Sequence, residues 1–81
     1  MRISVQMFAA ARQLCSRRVV ELELPEGATL GDLRAMLAAE APSLVPLIPH
    51  LKFAVNTEYA ADEMVLMEGA EVACIPPVSG G

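Results

Sequence analysis

The sequence predicts an α+β domain. Three observations carry that expectation. Strand-type alternation occurs near both ends of the chain, one central stretch has helical spacing behind a capping signal, and proline or glycine punctuates most of the boundaries. With 81 residues the chain makes one small domain. A domain of this size buries roughly 60–65% of the surface its unfolded form exposes.

Arg2 to Phe8 opens with strict alternation. Ile3, Val5 and Met7 point one way and Arg2, Ser4 and Gln6 the other, the pattern of a half-buried strand. Phe8 interrupts the polar face and is a candidate for an exposed apolar patch. Ala9 to Ser16 is alanine-rich and reads as a helical turn or a loop. Arg17 to Leu24 alternates again, with Val20, Leu22 and Leu24 inward and Glu21 and Glu23 outward. So short a link between two strands predicts an antiparallel pair.

Pro25-Glu26-Gly27 stops the second strand. Thr29 to Asp32 has capping-box spacing, so the threonine can accept from an early helix N–H while Asp32 meets the positive end of the dipole. Leu30, Leu33 and Leu37, with Met36, form the expected apolar stripe; Arg34, Ala38 and Glu40 are expected off it. Pro42 disfavours helix at Ala41 and sets the end. Prolines at 42, 46 and 49 make the next stretch an irregular crossing, with Leu44, Val45, Leu47 and Ile48 as apolar pegs. Lys52 to Asn56 is a short strand and Asn56-Thr57 a turn. Residues 57–66 hold another short strand or turn, and Met64 and Met67 read as gap-filling core residues. Glu68-Gly69 is a turn signal, and Glu71 to Ile75 is the last strand.

Composition excludes several classes. No apolar run approaches the ~20 residues of a membrane span. The net charge of −4 argues against a nucleic-acid binder and suits a partner with a basic pocket. Two cysteines, Cys15 and Cys74, lack metal-ligand spacing, so no metal site is expected and a reducing, cytoplasmic compartment is. The N-terminus lacks the pattern of a signal peptide. The hydrophobic fraction is 54% and the mean hydropathy +0.44, more apolar surface than a small interior can hold, which predicts an exposed patch. Cys74 reads as a small strand hydrophobe, His50 as a surface residue, and Arg12 as either a solvated charge or an anchor beside the tail.

The ending is the unusual stretch. Pro76-Pro77-Val78-Ser79-Gly80-Gly81 follows the last strand. Pro76 and Pro77 cannot extend a hydrogen-bonded ladder and favour an extended path away from the body. Gly80 and Gly81 have no side chains to exclude them from a narrow slot. The expected division is a domain over residues 1–75 and an extended, flexible tail over 76–81.

This tail, preceded by Glu68-Gly69-Ala70-Glu71-Val72-Ala73, resembles the C-terminus of the small subunits of molybdopterin synthase. Phe8-Ala9-Ala10-Ala11-Arg12 and Ala54-Val55-Asn56 are similar to that family's first-strand exit and its Ala-Val-Asn strand. Thr57 stands where many members have glycine, Ala70 where aspartate is common, and Cys74 where phenylalanine is frequent. The resemblance implies a ubiquitin-like β-grasp, a mixed sheet packed on one main helix. It implies a sulfur carrier whose Gly81 carboxylate is adenylated by an E1-like activating enzyme and converted to a thiocarboxylate. That thiocarboxylate gives its sulfur to cyclic pyranopterin monophosphate, forming the molybdopterin dithiolene. The implied partner is a large subunit, two small with two large in a heterotetramer. Phe8, Ile75, Pro76, Pro77, Val78, Ser79 and Gly80 are the expected partner-binding residues. No cofactor is expected on this chain; ATP is used by the activating enzyme. Catalytic side chains are expected on the large subunit.

The residues themselves offer no rival centre. His50, Tyr59 and Lys52 have no catalytic spacing, and no glycine-rich phosphate loop links a strand to a helix. Two other readings stay open: a related β-grasp sulfur carrier for thiamine or tRNA thiolation, and an interaction module with an inert tail. A plant-type ferredoxin needs four cluster cysteines and is excluded.

Overall fold

The alternating stretches become strands of a single mixed sheet. The computed structural model describes residues 1–77. In chain order these form strand β1 (Arg2–Met7), helix α1 (Ala9–Cys15), strand β2 (Val19–Glu23), helix α2 (Leu30–Glu40), and strands β3 (Lys52–Val55), β4 (Glu58–Tyr59) and β5 (Glu71–Ile75). Two 3-10 turns, Pro42–Leu44 and Ile48–His50, carry the chain from α2 to β3. The sheet order is β2-β1-β5-β3-β4. β1 is antiparallel to β2 and parallel to β5; β3 is antiparallel to both β5 and β4.

Alternation assigns the faces as the sequence predicts. Ile3, Val5, Val20, Leu22, Val72 and Cys74 are buried on the inner face. Helix α2 adds Leu30, Leu33 and Leu37, each fully buried, in one cluster with Phe53 and Leu66. Full burial of a leucine stabilises by about 1.5–3 kcal/mol. The capping box forms: Asp32 N–H donates to Thr29 Oγ1 at 3.2 Å, and Thr29 N–H donates to Asp32 Oδ2 at 2.9 Å.

Four details differ from the sequence reading. First, β2 starts at Val19 rather than Arg17, although the Arg18 carbonyl still accepts from Met7 N–H at 2.7 Å. Second, Met36 is 41% exposed. At about 100° per residue it lies roughly 90° from the centre of the leucine stripe. Third, Arg34 lies only roughly 70° from that centre, and it is tucked in. Its Nη1 donates to the carbonyls of Ile48 (2.7 Å) and Leu51 (2.9 Å), and its Nη2 to Asp62 Oδ1 (3.0 Å). Its guanidinium carbon sits 5.0 Å from the Phe53 ring centroid. One side chain thus ties α2 to the crossing segment and to the loop ahead of β5. Fourth, Met64 and Met67 are surface residues, 40% and 71% exposed, not core. Val65 bridges Thr29, and Leu66 N–H donates to the Ala28 carbonyl, so this segment is extended and its side chains alternate. Leu66 takes the inward position and Val65 and Met67 point out, while Met64 lies in the turn before this stretch, its N–H donating to the Ala61 carbonyl at 3.0 Å. Among the crossing pegs, Leu44 is buried, Leu47 and Ile48 are half-buried, and Val45 is exposed.

Candidate functional site: the root of the C-terminal tail

The parallel pairing of β1 with β5 decides where the tail leaves. Their register sets Met7 opposite Cys74. One residue further on both strands, Phe8 and Ile75 come together at the same end of the sheet. Phe8 is extended (φ −123°, ψ 152°), and Ala9 at φ 49° then turns the chain into α1. Both residues line a cleft of about 470 Å³ with Ala9, Ala10, Gln13, Pro76 and Pro77. Four of the residues singled out by sequence, Phe8, Ile75, Pro76 and Pro77, therefore share one site.

Their exposures differ. Phe8 is 45% exposed, Ile75 is half-buried, Pro76 is buried and Pro77 is exposed. The sequence reading sent both prolines away from the body. In the fold Pro76 still packs against it, and the chain emerges at Pro77. Val78, Ser79, Gly80 and Gly81 lie outside the described residues.

Lys52 flanks the site, in register opposite Ile75, with its Nζ 6.0 Å from the Tyr59 ring centroid. Arg12 projects from α1 as an exposed charge. Ala10 and Gln13 were missed, because a seven-residue alanine-rich segment does not declare itself as a helix. Once α1 is known to be one, the helical spacing of residues 9, 10 and 13 gives a signal.

The cleft is lined by aliphatic, aromatic and amide groups rather than by acids and bases. The nearby Cys74 is fully buried, and that burial pushes its thiol up to about 12. Cys15 adds to the rise and Arg34 opposes it. Cys74 is a protonated core residue at neutral pH, in agreement with its reading as a small hydrophobe. His50 is exposed. Among the described residues no group of three or more His, Cys, Asp or Glu side chains could hold a metal ion. The arrangement can grip a partner's surface and present a chain end.

The ThiS family model matches residues 5–81. The chain belongs to the ThiS family of sulfur carriers. Within it, the similarity runs to molybdopterin synthase sulfur carrier subunits. That of Chlamydomonas reinhardtii is 40% identical, covering 100% of each chain. That of Mycobacterium tuberculosis is 35% identical over 99% of this chain and 98% of its own. Among solved structures, SAMP1 from Haloferax volcanii superimposes with a TM-score of 0.90 at 28% identity, covering 100% of both chains. The fold of this ThiS-family chain is accordingly the ubiquitin-like β-grasp that the resemblance of its tail implies. Among the described residues no helix is long and apolar enough to cross a membrane.

Proposed function

We propose that this ThiS-family carrier works as the sulfur-donating small subunit of molybdopterin synthase, with the Gly81 carboxylate as its reacting group. An E1-like enzyme adenylates that carboxylate with ATP, releasing pyrophosphate. A sulfur donor displaces AMP and leaves a thiocarboxylate. The large subunit then takes the tail, the thiocarboxylate sulfur attacks cyclic pyranopterin monophosphate, and water cleaves the resulting acyl–sulfur bond, leaving the sulfur on the pterin and returning Gly81 as a carboxylate. Two carriers, one per sulfur, complete the dithiolene, which suits an assembly of two small and two large subunits. ATP belongs to the activating enzyme, and the proton-transfer groups belong to the large subunit.

One observation supports this reading best. A central strand runs straight into the tail, and the cleft at its root holds Phe8, Ile75, Pro76 and Pro77 with no catalytic side chain among them. Such a site suits a handle that presents its terminus to another protein's chemistry. The full-length similarity to molybdopterin synthase carriers favours this recipient over thiamine or tRNA thiolation.

Removing Gly81, or adding one residue after it, should abolish dithiolene formation in a reconstituted synthase while leaving the unfolding midpoint unchanged. Mass spectrometry after incubation with ATP, a sulfur source and the activating enzyme should show one oxygen replaced by sulfur at the C-terminus. Full activity in either variant would sink the proposal.

A further inference from the structure

We infer that Arg12, Arg17 and Arg18 form a cationic docking face that steers the tail end of this carrier onto an acidic segment of the large subunit. The inference rests on the proposed function and adds a recognition element to it. The three arginines line a cleft of about 440 Å³ together with Gln13 and Ser16. Gln13 also lines the tail-root cleft, so the two clefts adjoin at that residue. A partner seated around the tail root and extending past Gln13 meets the arginines.

Local structure holds the cluster in place. Ser16 adopts a left-handed conformation (φ 57°), and its N–H closes on the Arg12 carbonyl at 2.9 Å. That turn brings Arg17 and Arg18 back beside Arg12. Arg17 is held against the end of α2, with Nη1 3.5 Å from Glu40 Oε1 and Nη2 donating to the Glu40 carbonyl at 3.2 Å. The guanidiniums of Arg12 and Arg18 have no ion pair or hydrogen bond among the described residues.

The charges are segregated along the strand direction. β1 and β5 end where β2 begins and α2 ends, so the arginines share the tail pole with Lys52. The turn after β2, the start of α2 and the loop before β5 gather at the other pole, bringing Glu23, Glu26, Asp32, Asp62 and Glu68 there. A chain of net charge −4 thus presents a positive face where its tail emerges. An acidic partner would repel the molecule as a whole but attract this end of it, which orients the encounter tail first.

The exposure of these side chains selects the occupant. Exposed ion pairs add little to affinity, whereas clustered exposed charges raise association rates by about 10 to 10³-fold at low salt. A small phosphate site would call for converging, desolvated donors, and one of these three arginines is already taken by Glu40. Duplex nucleic acid calls for a basic stripe that tracks many phosphates, and this face offers two arginines free of ion pairs among the described residues. A carboxylate-rich protein segment fits the pattern best.

The test measures association and dissociation rates with the large subunit for Arg12→Gln, Arg18→Gln, the double variant, and Arg2→Gln at the opposite end of β1. The double variant should associate about 5- to 10-fold more slowly at low salt, with the deficit vanishing at high salt and dissociation unchanged. Arg2→Gln should associate as wild type does. Equal slowing by Arg2→Gln, a deficit confined to dissociation, or wild-type rates in the double variant would overturn the inference. So would binding of inorganic phosphate or a duplex oligonucleotide that only the double variant loses. Wild-type protein that fails to bind the large subunit at any ionic strength would remove the proposed function as well. Normal binding that ignores Arg12 and Arg18 would remove this inference alone.

Discussion

Cys74 shows how burial alone decides a residue's chemistry. It faces the core from β5 and is fully buried, so its thiol stays protonated up to about pH 12, against an ordinary value near 9. The unfolded chain gives up this proton from about pH 9 upward, while the folded chain keeps it. The contribution is therefore intact below pH 9 and lost as the pH rises between 9 and about 12, at up to about 1.4 kcal/mol per pH unit. Urea unfolding of wild type and Cys74→Ala at pH 7.5, 9 and 10.5 should show the gap between the two proteins shrinking with pH. A gap that stays constant would show that the thiol is not the group responsible. At this scale the sequence was legible where a residue's fate follows from simple alternation, as for Ile3, Val5, Val20 and Leu22. It was not where position on a helix must be judged to within tens of degrees. Arg34 looked like a surface charge, yet it lies close enough to the leucine stripe to fold its guanidinium over Phe53 and reach three segments. Met64 and Met67 looked like core because their hydrophobicity was visible, whereas the backbone bridge that turns Val65 and Met67 outward was not.

Among elements, the β3–β4 hairpin carries the clearest strain. Its two-residue loop, Asn56-Thr57, places both residues at positive φ, 49° and 74°. That is the requirement of a type I′ turn, which favours Asn-Gly. Asn56 suits its place: its N–H donates to the Glu71 carbonyl at 2.8 Å, and its Oδ1 accepts from Glu71 N–H at 3.0 Å. Thr57 does not, because a β-branched residue in the left-handed region is strained by about 1–2 kcal/mol. Thr57→Gly should stabilise the domain by about 0.5–1 kcal/mol after the entropy of glycine is set against the relief. The Tm should rise by about 3–6 °C in a calorimetric scan. A fall would mean that the threonine makes compensating contacts the backbone angles do not reveal. The turn was readable from Asn56-Thr57, as were the capping box of α2 and the antiparallel β1–β2 pair, because each is a local signal. Sheet order was not readable from pattern: setting β5 between β1 and β3 joins residues far apart in sequence, and only the resemblance of the tail supplied it. Helix α1 stayed ambiguous because seven residues with a single buried side chain, Ala11, leave almost no periodicity.

For the whole molecule, net charge and apolar excess are sums, and neither says where on the surface the charges and apolar groups lie. The net charge of −4 suggested a partner with a basic pocket, yet the pole from which the tail emerges is the cationic one. The apolar excess is real but divided: Phe8 and Ile75 lie at that pole, while Met64, Val65 and Met67 lie at the other. Only the first group borders the tail, so only there should apolar contact and tail capture reinforce each other. Phe8→Lys and Ile75→Lys separate contact from steering. Each puts a charge into what would be a dry interface, which costs about 2 kcal/mol or more when the position is a hot spot. Each also adds a cation to a pole proposed to attract carboxylates, so association should be no slower than in wild type. The loss must then appear as dissociation from the large subunit roughly 30-fold faster, the equivalent of about 2 kcal/mol. Because Phe8 is 45% exposed, Phe8→Lys should leave the unfolding midpoint nearly unchanged. Slower association with unchanged dissociation would contradict both the apolar contact at Phe8 and the sign of the charged face beside it. A collapsed midpoint would show that Phe8 supports the fold rather than the partner.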